Sequence, residues 1–142
     1  MSKHIFKNLL NTLLVALGLL VACYTTACSS GGEKKAALEK IKKDVETVSK
    51  KTPTMVAPGI QLDKVELKGE ETISYYFTMT NFDADKAPFD TESAKTSIIE
   101  GLKGDQNAIK DFIASQLQIH YYYYDMNHKL VSEIKITPKD LQ

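Results

Sequence analysis

Apolar and polar positions divide the chain into an apolar run, a small polar stretch and a series of amphipathic segments. Leu9–Ala22 is apolar apart from Asn11 and Thr12. Tyr24–Gly32 is small and polar, and Ser29-Ser30-Gly31-Gly32 within it predicts a flexible tether. Over Glu33–Lys51, Leu38, Ile41, Val45 and Val48 recur at steps of three and four, with Lys and Glu between them. That period predicts an amphipathic helix stopped by Pro53, with Glu39–Lys43 and Glu46–Lys50 as i,i+4 pairs. Its narrow, aromatic-free stripe points to packing on a sheet rather than to lying on lipid.

Period-two patterns come next. Ile60–Leu67 carries Ile60 and Leu62, then Val65 and Leu67, so the alternation slips at Asp63-Lys64 and predicts a bulge. Lys68–Glu71 is a turn, and Thr72–Asn81 sets Ile73, Tyr75, Phe77 and Met79 on one face and Tyr76, Thr78 and Thr80 on the other. Phe82–Phe89 reads as a loop. Helices are predicted over Thr91–Leu102, capped by Asp90 or Thr91, and over Gln106–Gln116, capped by Asp105. A second hairpin closes the chain: Gln118–Met126, with the run Tyr121–Tyr124, then a turn over Asp125–Lys129, then Leu130–Thr137. The expected fold is therefore α+β in the order α-β-β-α-α-β-β, a four-stranded antiparallel sheet with helices on one face.

Charge narrows the partners. The chain has no Arg, and its 18 Lys balance 18 acids. The lack of a guanidinium fork and of net positive charge argues against nucleic acid as a partner. Basic charge gathers on the first helix, where residues 33–51 hold seven Lys against four acids. The two cysteines, Cys23 and Cys28, lie ahead of the predicted domain, which must hold together by core packing alone.

The N-terminus reads as an address. Lys3 and Lys7, with no acid beside them, precede the apolar run, which ends in Leu20-Val21-Ala22-Cys23. A charged n-region, a short h-region and a small residue before the cleavage point are the parts of a secretion signal. The tetrapeptide resembles the lipobox of bacterial lipoproteins. That resemblance implies removal of residues 1–22, attachment of a diacylglycerol, with chains such as palmitate, to the Cys23 thiol, and a mature protein tethered to a membrane outside the cytoplasm, in a bacterial cell envelope. Residues 23–32 would form the lipidated tether and 33–142 a single domain. Cys28, before the Ser/Gly stretch, is the competing acceptor, weakened by Thr25 where a lipobox has Leu.

Chemistry is sparse. His120 and His128 are the histidines beyond the signal, and no metal-ligand spacing surrounds them. No Gly-x-Ser-x-Gly turn or Gly-rich phosphate loop occurs. No catalytic residue, metal or cofactor is assigned, and the chain is read as a non-enzyme. The tyrosine strand is the candidate surface: Tyr121 and Tyr123 share the face of Ile119, leaving His120, Tyr122 and Tyr124 on the other. Those three are the candidate contacts for a protein, peptide or glycan partner, because Tyr offers an apolar ring with a polar tip. The competing reading is a small extracytoplasmic enzyme or enzyme inhibitor using the same open face.

Tyr121-x-Tyr-x-Asp125-x-Asn127-x-Lys129, with Leu62-Asp63-Lys64-Val65 and Tyr75-Tyr76 ahead of it, is similar to small uncharacterised bacterial proteins that share a Tyr-x-Tyr-x-Asp-x-Asn-Gly-Lys hairpin. The resemblance spans residues 35–140 and implies a fold, not an activity. His128 stands where those proteins have Gly, so the turn must hold a His at positive φ or change type.

Lipidation is testable directly. Cys23→Ala is expected to leave an uncleaved precursor that takes up no labelled fatty acid, while Cys28→Ala is processed normally. Labelling lost only in Cys28→Ala would move the anchor.

Overall fold

A computed structural model describes residues 30–142. The predicted signal and both cysteines lie outside this range. The elements are α1 (Ser30–Ser49), β1 (Thr54–Ala57), β2 (Ile60–Lys68), β3 (Thr72–Met79), α2 (Thr91–Lys103), α3 (Gln106–Ser115), β4 (Gln118–Tyr124), β5 (Leu130–Ile136) and a 3₁₀ turn over Pro138–Leu141. The α+β class expected from the pattern is the one found.

The sheet differs from the expectation in two ways. It has five strands in the order β1-β2-β3-β4-β5, because Thr54–Ala57 pairs with β2 as a short edge strand. Four residues are too few to display a period, which is why the pattern does not reveal them. The sheet is also mixed rather than antiparallel, since β3 and β4 run parallel from Thr72↔Gln118 to Thr78↔Tyr124. Each hairpin is antiparallel within itself. The α2–α3 connection carries the chain back to the end where β3 began, as a crossover between parallel strands must. The amide of Gln118 then donates to the Glu71 carbonyl at 2.8 Å and sets the register.

The bulge and both helix caps stand where the pattern places them, and the first helix departs from it at its start. The β2–β3 register slips between Leu62 and Lys64, at the predicted bulge. Asp90 caps α2 by accepting from the Ser93 amide, and Asp105 caps α3 by accepting from the amides of Asn107 and Ala108. α1 begins at Ser30, so the last three residues of the predicted tether form its first turn. Two glycines lower helix propensity, but Glu33 sits where the helix dipole favours an acid. On its surface Glu39 pairs with Lys42 at 3.5 Å rather than with Lys43.

One face of the sheet carries the core. Leu62, Val65, Ile73, Phe77, Ile134 and Ile136 are buried there, against Leu38 and Val45 of α1, Ala94 and Ile98 of α2 and Phe112 of α3. The in-register parallel pair places aromatic residues side by side. Tyr75 stacks on Tyr121 and Phe77 on Tyr123, each at 5.4 Å between ring centroids. Such pairs contribute about 0.5–1.5 kcal/mol each beyond their buried area. Burial pushes the Tyr75 hydroxyl up to about 12 and raises those of Tyr121 and Tyr123 well above the ordinary phenol value, so none of the three ionises in the folded protein at physiological pH.

The alternation in β4 fixes unequal costs. Tyr121→Ala or Tyr123→Ala is expected to remove about 3–5 kcal/mol of stability, as large aromatic deletions in cores do. Tyr122→Ala should cost about 1 kcal/mol, the scale of one exposed stacking partner. Denaturant unfolding of the three variants measures the difference, and equal losses would contradict the burial pattern.

Candidate binding site

The residues singled out by sequence lie on the face of the sheet opposite the helices. Rows of register partners run across it: Lys64, Tyr76, Tyr122, Glu133, and then Glu66, Ser74, His120, Lys135. His120 and Tyr122 are brought together, with 3.3 Å between His120 Nδ1 and the Tyr122 hydroxyl. Tyr124 stands one row further on, beside Thr78. All three are half-buried.

The rings and most charges of this face are engaged with one another, while Ser74 Oγ and His120 Nε2 are buried without a hydrogen-bond partner among the described residues. Tyr76 and Tyr122 stack at 4.8 Å with ring planes 9° apart, so each covers one ring face of the other. Lys64 and Lys68 lie over the Tyr76 ring, and Lys68 also over that of Tyr122, each at 5.6 Å. The Tyr76 hydroxyl donates to Glu66 at 2.8 Å. His120 Nδ1 sits 3.4 Å from Glu133. Burial first, and then the positive charge of Lys135, hold the imidazole below its ordinary pKa, with Glu133 opposing. The result is a polar and aromatic lattice with its rings already engaged, a poor platform for stacking a sugar.

The tyrosine motif has a structural explanation. Asp125 is fully buried where β4 enters its turn. Its carboxylate accepts from the amides of Asn127 at 2.8 Å, Lys129 at 2.9 Å and, across the sheet end, Ala84 at 3.2 Å. His128 takes φ of 59°, the left-handed conformation expected where related hairpins have Gly. Lys129 reaches Asp85 at 2.6 Å. Asp, Asn and Lys in this pattern clamp the hairpin to the loop after β3.

An apolar concavity lies elsewhere, and sequence reading missed it. A cavity of about 600 Å³ opens between α1, α3 and the core face of the sheet. Its α1 wall is Ile41, Val45 and Val48, its α3 wall Ile109 and Phe112, and its floor Val65, Ile73, Tyr75 and Tyr121. Met55 of β1, 54% exposed, stands at its edge. Lys40 pairs with Asp111 across the two helices at the rim. Asp44 lines the same rim, and its carboxyl is raised by burial and by the nearby Asp111, with Lys40 acting the other way. Ile41 and Val48 belong to the predicted apolar stripe yet stay half-buried. The stripe therefore exceeds what the domain's own core covers. That surplus is the one trace of the cavity in the sequence, and it is legible only once the helix spacing is known.

Among the described residues no cluster of His, Cys, Asp and Glu could hold a metal ion, and no helix is long and apolar enough to cross a membrane. The site these residues define is an apolar cleft with a charged rim on a mixed α+β domain.

That fold recurs in solved structures. The pilotin EpsS of the Vibrio vulnificus type 2 secretion system superposes with a TM-score of 0.61 at 9% identity, covering 79% of this chain and 97% of its own. A secreted protein of Pseudomonas aeruginosa gives 0.60 at 13%, covering 82% and 100%. The type II secretion system pilotin AspS of Vibrio cholerae gives 0.56 at 13%, covering 79% and 99%. At such identities the shared property is the fold. No curated protein matches the sequence. Residues 35–131 match the model of the family described as domain of unknown function DUF8479, and the chain belongs to that family.

The clamp around Asp125 gives a pH dependence. Backbone amides, that of Lys129 foremost, hold its carboxyl below the usual carboxylate range. A depressed folded-state pKa contributes stability that is present above the unfolded value of ~3.9 and is lost as pH falls through the folded value. Asp125→Asn is expected to unfold earlier at pH 7 and to show a flatter loss of stability below about pH 4. Thermal melts at stepped pH measure both, and an unchanged acid limb would remove Asp125 from the account.

Proposed function

We propose that the chain is a non-enzymatic, lipid-anchored binding module of a bacterial cell envelope, tethered by Cys23, that seats a segment of a protein partner in the cleft between α1 and α3. The reading rests chiefly on the cleft. It is apolar on floor and walls, edged by charge, and large enough for several side chains, the usual build of a site that takes an apolar segment and orients it by polar contacts at the edge. Catalysis would need convergent titratable groups inside such a site. Here the groups within are the stacked Tyr75 and Tyr121, whose hydroxyls burial keeps protonated, while Lys40, Asp44 and Asp111 stand at the rim.

The fold shared with pilotins EpsS and AspS supports a partner belonging to a type II secretion system. The lipobox resemblance supports a site of action outside the cytoplasm, at a membrane surface. The predicted surface of His120, Tyr122 and Tyr124 is then secondary to the cleft for partner capture, because the Tyr122 ring at its centre is engaged with Tyr76, His120 and Lys68.

A photo-crosslinking residue at Met55, in cells that carry a type II secretion system, is expected to form an adduct with a component of that system. Ile41→Lys, which puts an ammonium group on the apolar wall, should lose the adduct while the protein still folds and fractionates with membranes. An adduct unaffected by Ile41→Lys, or none from Met55 when Lys64 on the other face gives one, would overturn the cleft as the site.

A further inference from the structure

We propose that the helix-free face of the sheet is a self-complementary surface that pairs with a second copy of this chain about a two-fold axis parallel to the strands. The charges are laid out for it. On β2 the outward residues read Lys64, Glu66, Lys68, and on β5 they read Glu133, Lys135, in the same rows. Rotation by half a turn about an axis lying between β3 and β4 sets β2 of one copy over β5 of the other without changing rows. Lys64 then faces Glu133 of the second copy, Glu66 faces Lys135, and Tyr76 faces Tyr122. Each contact occurs twice, as in any isologous interface. An axis perpendicular to the strands through the Glu66 row would set Glu66 over Glu66 and Lys64 over Lys68, and one between the Lys64 and Glu66 rows would pair the charges but lay Tyr76 over Ser74 and Tyr122 over His120. Of these arrangements the parallel axis alone both pairs opposite charges and sets tyrosine on tyrosine.

Lys64 and Lys135 are more than half exposed, so both are available. Within one copy Lys64 already meets Glu66, and Lys135 meets Glu133 at 3.5 Å. Exposed pairs of this kind contribute little singly. Interleaved across the axis they form one network, and half-exposed Leu130 in the next row is covered as well. Two twisted sheets stack face to face in this aligned manner in β-sandwiches.

The size of the face sets the strength. Four strands at ~4.8 Å spacing and seven residues at ~3.3 Å rise give roughly 450 Å² a copy, on the order of 900 Å² in all, by these strand dimensions. Stable complexes bury about 1,600 Å². The pairing is accordingly weak and salt-sensitive, of a strength that becomes significant where copies are concentrated on a surface.

The test uses the full chain in density-matched detergent at low salt, with sedimentation equilibrium as the readout. Wild type is expected to self-associate, and to do so less as salt is raised. Lys64→Glu alone and Glu133→Lys alone each set like charges together at two places and should weaken association at least about tenfold. An equimolar mixture of the two variants behaves differently. In a mixed pair the Lys64→Glu copy is acidic at both positions and the Glu133→Lys copy is basic at both. Opposite charges then face each other at both places, and the mixture should associate as wild type does. Both substitutions are at exposed positions away from the cleft, and matching thermal melts check their folding. Wild type that stays monomeric to ~1 mM, single variants that associate like wild type, or a mixture that does not recover would each overturn the proposal.

Discussion

The parallel, in-phase pairing of β3 with β4 is the constraint on which the structure depends. It lays Tyr75, Tyr76 and Phe77 beside Tyr121, Tyr122 and Tyr123. Each strand alternates, so one pairing builds two aromatic stacks, one in the core and one on the surface. A shift of one residue would turn the buried stack to solvent and bring the charged rows inward. The crossover through α2 and α3 is what makes the strands parallel, and it also delivers α3 to the position beside α1. Sheet register, helix placement and cleft thus share one origin. The core that results is rich in stacked rings, with Phe89 adding a third layer on Tyr123 at 5.5 Å.

Much of this was legible from residue patterns because it is local. The helices, the strands β2 to β5, the bulge at Asp63, the caps at Asp90 and Asp105 and the division of the tyrosines all follow from periods of two or 3.6 and from capping chemistry. The strand direction between the hairpins was not legible. Each hairpin is antiparallel on local grounds, and nothing local states how two hairpins joined by helices align. The edge strand β1 escaped notice for lack of length. The first turn of α1 did so because its glycines resemble a tether.

The candidate site divides in the same way. His120, Tyr122 and Tyr124 were assigned to a shared face by alternation, and they occupy it. What alternation does not convey is that Tyr76 of the neighbouring strand and Lys68 of the strand beyond it close over the Tyr122 ring. The cleft was invisible for a related reason, since it is a distance between elements. Ile41 and Val48 read as ordinary core positions, and their incomplete burial depends on how far α1 stands from the sheet. Asp125 had the opposite fate: a conspicuous motif residue in the sequence is, in the structure, the anchor of a turn. The surface features proposed to bind a partner are those left over once the motif has been accounted for by the fold.

The cleft as the place where a protein partner is seated is the central claim, and amide hydrogen exchange tests it most directly. The chain would be compared alone and on membranes that carry a type II secretion system. Slower exchange is expected in residues 40–51 of α1 and its C-terminal flank, which wall the cleft on one side, and in Thr54–Ala57 of β1 at its edge. Exchange there that does not change on such membranes would contradict the account.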